Sequence, residues 1–131
     1  KSAYRQRRCL IPATGFYEWQ VTEQGKQAYC VADQAQQLFA FAGLWEYWEH
    51  GRETIYSCTI ITTAANELMR PVHQRMPVII EAQNYKYWLN KQAALATTQQ
   101  LLMTDAYQTM QLKPVSDWVN SPTHNDKNCL N

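Results

Sequence analysis

The chain lacks most of the features that announce a function. No apolar run approaches the length needed to span a bilayer. No signal peptide is visible, so the chain is read as a cytosolic protein in a reducing compartment. Glycine is scarce, with 4 in 131 residues, and none of them builds a phosphate-cradling loop. No Ser/His/Asp order is present. The cysteines Cys9, Cys30, Cys58 and Cys129 have no metal-ligand spacing, so neither a metal nor a cofactor is expected. The net charge is only +1, and bulk electrostatics therefore select neither nucleic acid nor a membrane surface. No internal repeat or low-complexity tract appears.

What the chain does have is aromatic residues and strand patterning. Its length is that of one domain, residues 1–131, long enough to bury a core without disulfides. Five Trp and eight Tyr can supply both core and stacking surfaces. The segment 1–8 is polar and basic (Lys1, Arg5, Arg7, Arg8) and reads as the end of a helix. A short apolar run, Cys9 to Ala13, stops at the turn signal Thr14-Gly15. Residues 16–21 and 27–32 alternate as two strands of a hairpin. In the first of them Tyr17, Trp19 and Val21 share one side; Phe16, Glu18 and Gln20 share the other.

The run 38–44 reads as a strand that becomes irregular or bulged through Trp48. Residues 55–63 are rich in β-branched side chains and read as the most clearly buried strand. One or two helical turns are expected over 64–69, ended by Pro71. A short strand is expected over 78–81, helices over 84–89 and 93–103, and a strand over 106–112. The remainder is irregular. Short strands joined by tight turns, with helices mostly late, predict an α+β fold. It would consist mostly of antiparallel sheet or open barrel with a few short helices.

Three places could carry chemistry. In His-Gln-Arg-Met-Pro, Pro77 pushes Met76 toward extended backbone. Alternation then sets His73 and Arg75 on one side: a titratable ring beside a planar cation, suited to a phosphate-bearing substrate that needs a proton moved. Glu18 sits in Gly-Phe-Tyr-Glu-Trp, where aromatic walls that exclude water would suit a general acid or base. Glu46 sits in the similar run Gly-Leu-Trp-Glu-Tyr-Trp. Two such carboxylates are compatible with a carbohydrate-active enzyme, since sugars stack on Trp and glycoside cleavage uses two acids. Thr62 and Thr63 end a strand and could offer hydroxyls to a phosphate. A solvated sheet face for Glu18 and Glu46, and a surface loop for His73 and Arg75, are the plainer readings.

The motifs form an ordered series. Arg-Arg-Cys-Leu-Ile-Pro-Ala runs into Gly-Phe-Tyr-Glu-Trp. Phe-Ala-Gly-Leu-Trp-Glu, Ser-Cys-Thr-Ile-Ile-Thr, Asn66, His-Gln-Arg-Met-Pro-Val-Ile and Pro-Val-Ser follow. From Arg7 to about Asn120 this series resembles the SOS response-associated peptidase (SRAP) family. The resemblance implies a β-rich domain that recognises abasic sites in single-stranded DNA. An N-terminal cysteine would attack the open-chain aldehyde through its amine and close a thiazolidine through its thiolate. Autoproteolytic, peptidase or lyase activity and a DNA-damage response role are implied as well, in a bacterial cytosol or nucleoid.

Carried over by position, the resemblance makes Glu18 the general acid/base, His73 a second proton-transfer group and Arg75 a phosphate grip. Thr62 would be a weaker phosphate-side contact, and Trp19 packing that holds Glu18. Lys1, not cysteine, stands first. The chain is therefore expected to be the C-terminal part of an SRAP domain, with N-terminal strands missing and without cross-linking activity of its own. A single-stranded DNA-binding module without chemistry is the remaining alternative.

Overall fold

The computed structural model describes residues 2–131 and holds nine strands and three short helices. The chain divides into two compact units. The first comprises the N-terminal segment through Ala13 with Phe39–Thr63 and Pro77–Ala106. The second comprises Thr14–Leu38, Ala64–Met76 and Tyr107–Asn131.

The first unit is built on β1 (Arg8–Ala13), β4 (Phe39–His50) and β5 (Glu53–Ile60), all antiparallel, with β8 (Ile79–Ile80) also pairing β4. Three helices accompany them: α1 (Ser2–Gln6), α2 (Tyr85–Leu89) and α3 (Leu95–Met103). Its core is Ala42, Val78, Ile80 and Trp88, with Tyr4, Leu10, Ile61 and Leu102 packed against them. Trp88 is fully buried, and its indole N–H donates to the Cys9 carbonyl at 2.8 Å. Burying a large aromatic pays off only when its polar atom finds such a partner. Gly43 is required by packing rather than by backbone shape: a Cβ there would lie 2.8 Å from Ile11 Cδ1.

Two strand expectations fail here. The segment 45–48 is not bulged; β4 runs unbroken to His50, because every residue from Gly43 to His50 has a partner on β5. Nor is β5 buried, since each of its eight residues is exposed. β1 pairs only Phe39–Leu44 of β4, so the β4–β5 hairpin runs on past the last residue that β1 covers. β-branched content reports that a segment is a strand, not that anything lies over it. Cys58 is exposed for the same reason, while Cys30 and Cys129 are buried; all four cysteines are free.

The second unit is a three-stranded antiparallel sheet in the order β2 (Phe16–Thr22), β3 (Gly25–Asp33), β9 (Met110–Pro114). The β2–β3 turn places Gly25 at φ +111°, a conformation that favours glycine. One face of this sheet packs Ala28, Cys30 and Val115 with Tyr17, Trp19, Ala32 and Val119. After β3 the chain turns on Asp33. Its carboxylate accepts from the Thr109 hydroxyl at 2.6 Å and from the Ala35 and Gln37 N–H groups. These bonds, the Thr109 one foremost, hold the Asp33 carboxyl below its ordinary value.

β6 (Thr62–Ala64) and β7 (Arg75–Pro77) pair with each other as a separate two-stranded sheet. Between them the expected helix over 64–69 is replaced by a compact loop. Asn66 Oδ1 accepts the Met69 N–H at 2.9 Å, and the Ala65 N–H donates to Gln74 O at 2.9 Å. An Asn side chain that bonds nearby backbone competes with helix propagation. Fully buried Met69 anchors the loop. The last strand begins at Met110 rather than 106, and the tail contains two single 3₁₀ turns, Asp117–Asn120 and Lys127–Leu130. Among the described residues no helix is long and apolar enough to cross a membrane, and no group of three or more His, Cys, Asp or Glu could hold a metal.

Candidate functional site

Strand alternation decides the setting of Glu18. Tyr17 and Trp19, its neighbours in sequence, point to the opposite face and into the core with Val115. They are therefore not walls around the carboxyl; they fasten the strand from behind. Trp19 is fixed further by its indole N–H, which donates to Asn120 Oδ1 at 2.6 Å. On the front face Glu18 is half-buried, directly across from Tyr29, with Phe16 and Gln20 at either side along β2. Among the described residues no hydrogen bond or ion pair engages its carboxylate.

Gln20 connects this face to the loop that carries His73. Its side-chain N–H donates to Pro71 O at 2.7 Å, and its Oε1 accepts from the Tyr29 hydroxyl at 3.2 Å. The Glu18 face of β2 is thus the face on which the chain segment two residues before His73 lies. Glu18, His73 and Arg75 all belong to the second unit; Thr62 is exposed and belongs to the first.

His73 and Arg75 are both exposed, alternating with buried Val72 and Met76. The His73 N–H donates to Met69 O at 2.9 Å. Its Nδ1 lies 3.0 Å from the Arg75 N–H and 3.0 Å from the Arg75 carbonyl oxygen. In the neutral ring Nδ1 accepts that N–H, and the proton resides on Nε2. In the charged ring Nδ1–H can donate to the Arg75 carbonyl instead. The seat therefore serves both protonation states and leaves Nε2 as the nitrogen directed away from the backbone. A ring held this way can give or take a proton without reorienting.

Glu46 has a different fate. It is exposed and paired with Arg7, Nη2 to Oε2 at 2.7 Å, in the first unit. Residue-by-residue reading nominated Glu18, His73 and Arg75 but missed Gln20 and Tyr29. The signal for Gln20 was available, since it alternates onto the Glu18 face; the Tyr29 pairing needed the hairpin register.

A family model described as SOS response associated peptidase (SRAP) matches residues 1–122. The chain belongs to the SRAP family. Among curated SRAP relatives, the abasic site processing protein YoaM of Bacillus subtilis is 41% identical over 137 residues, covering 99% of this chain and 60% of YoaM. The abasic site processing protein HMCES of Xenopus tropicalis is 32% identical over 149 residues, covering 98% of this chain and 44% of HMCES. This chain thus spans about half the length of the relatives it matches. A crystal structure of a Bacteroides thetaiotaomicron protein superposes with a TM-score of 0.89 at 25% identity, covering 98% of this chain and 58% of that one. The mostly antiparallel architecture expected from sequence is the one found.

Proposed function

We propose that this SRAP chain supplies the proton-transfer and phosphate-gripping half of a site that processes abasic sites in single-stranded DNA. The observation that carries the reading is the Gln20 bridge, which sets the loop leading to His73 and Arg75 against the face that bears Glu18. The names of the SRAP relatives support the substrate class. In the cyclic form of the lesion, Glu18 takes the proton of the C1′ hydroxyl as the ring oxygen is protonated, opening the sugar to its aldehyde. The amine of an N-terminal cysteine, supplied ahead of these residues, adds to that aldehyde. Loss of one water, assisted by Glu18 and His73, leaves an imine. The cysteine sulfur then adds to the imine carbon while its proton passes to nitrogen, closing a thiazolidine. The second closure is intramolecular and gains the corresponding effective concentration. Arg75 holds a flanking phosphate, where a planar guanidinium matches paired oxygens. Thr62 adds a hydroxyl to the phosphate side.

The test is adduct formation resistant to denaturation. It is carried out with a polypeptide that bears an exposed N-terminal cysteine ahead of this chain, on single-stranded DNA with one abasic site. Adduct that forms and slows sharply in Glu18→Gln supports the reading. Reversible binding alone would favour the stacking module, and hydrolysis of glycosides would favour the carbohydrate-active alternative.

A further inference from the structure

The geometry points to a binding site for a phosphate-class oxyanion in the first unit, formed by Arg5, Arg8 and Lys91. These three cations line one cavity of about 290 Å³, together with Gln6 and Thr98. No carboxylate lines it, and among the described residues none of the three is in an ion pair. The five residues of α1 and the first turn of α3 carry no acidic side chain either.

Arg8 is the fixed member. Its guanidinium donates to the carbonyls of Trp88 and Asn90 at 2.6 Å each, and to those of Tyr4 and Arg5 at 2.7 and 3.1 Å. It also lies over the rings of Tyr4 and Trp88, at 5.9 and 5.5 Å from their centroids. This accounts for Arg8 as a tie between the ends of α1 and α2. It does not account for two further cations turned into the same cavity with no counter-charge. Carbonyl partners hold the guanidinium in place without neutralising it, so its charge remains available to an anion. Arg5 and Lys91 are exposed and mobile enough to close over one. A phosphate oxyanion fits the volume and the donor set; a carboxylate would leave donors unused. The site lies outside the Glu18, His73 and Arg75 group and goes beyond the reading given for it.

Two sources carry this chemistry, a backbone phosphate of single-stranded nucleic acid and free phosphate. The chain and its Arg5→Gln/Lys91→Gln variant are titrated with inorganic phosphate at constant ionic strength, followed by amide NMR. Both are also titrated with undamaged single-stranded DNA over a range of salt. Both substituted side chains are exposed, and a thermal melt verifies that the variant is folded. The expected result is a saturable shift of the cavity amides with phosphate, absent in the variant, and a DNA salt slope shallower by about 1.4, roughly 0.7 for each lost contact. A phosphate response with an unchanged DNA slope assigns the site to free phosphate. No saturable response together with an unchanged slope overturns the proposal. Undamaged DNA has no aldehyde, so failure here leaves the proposed abasic-site chemistry standing, and failure of that chemistry leaves this site standing.

Discussion

Glu18 and Glu46 occupy almost the same sequence environment and have opposite structural fates. Each lies mid-strand with aromatic residues before and after it. On β2, the aromatic neighbours of Glu18 turn to the back of the sheet and are buried there, while the carboxylate stays half-buried on the front beside Tyr29 and Gln20. On β4, Glu46 stands on the part of the hairpin that β1 does not reach, across from Ser57, and an arginine neutralises it. The lesson concerns neighbours across space. An aromatic-flanked glutamate is not a site in itself; what stands opposite the strand, and which loop that face holds, separates the two.

The sharpest way to break the comparison is to neutralise each carboxylate without changing its shape. Glu18→Gln should slow adduct formation on abasic single-stranded DNA by ~10²–10⁴-fold, the usual worth of a general acid/base, while Glu46→Gln should leave it within about twofold. Equal losses would erase the distinction. His73→Ala should cost less, about ten- to a hundredfold, because water can replace an exposed proton carrier in part. A rate indifferent to His73 would reduce the site to Glu18 alone.

Gln20→Ala tests whether the bridge matters. Losing the hydrogen bonds to Pro71 and Tyr29 should slow the reaction by about tenfold through misplacement of the loop. Global stability should fall by only about 1 kcal/mol. A rate loss matched entirely by lost folded protein would make Gln20 merely structural. The smallest effect is expected of Arg75→Ala, which should reduce the salt slope of DNA binding by about 0.7 and leave the Glu18 dependence unchanged. An identical slope would remove Arg75 from the phosphate side.

The fold was legible wherever period-2 patterning and turn residues agreed. The β2–β3 hairpin is the best case, since Thr22 to Lys26 carries the turn and alternation assigns both faces. The β4–β5 hairpin was half legible: Gly51 marked the turn, but Ile55 and Ile60 suggested burial that no other strand provides. Burial depends on how far β1 extends along β4, and the residues of β5 contain no record of that. The loop 64–76 was misread as helical because Asn66 was weighed as a motif residue and not as a partner for the Met69 N–H. At the candidate site, residue types were legible from the ordered motifs. The Gln20 bridge was not, because it joins side chain to backbone across fifty residues.

The most direct measurement compares the rates of denaturation-resistant adduct formation for Glu18→Gln and Glu46→Gln in one polypeptide, on one abasic oligonucleotide at neutral pH. The account predicts a separation of at least about a hundredfold, with Glu46→Gln near the unsubstituted rate. Two variants that react equally fast would contradict it.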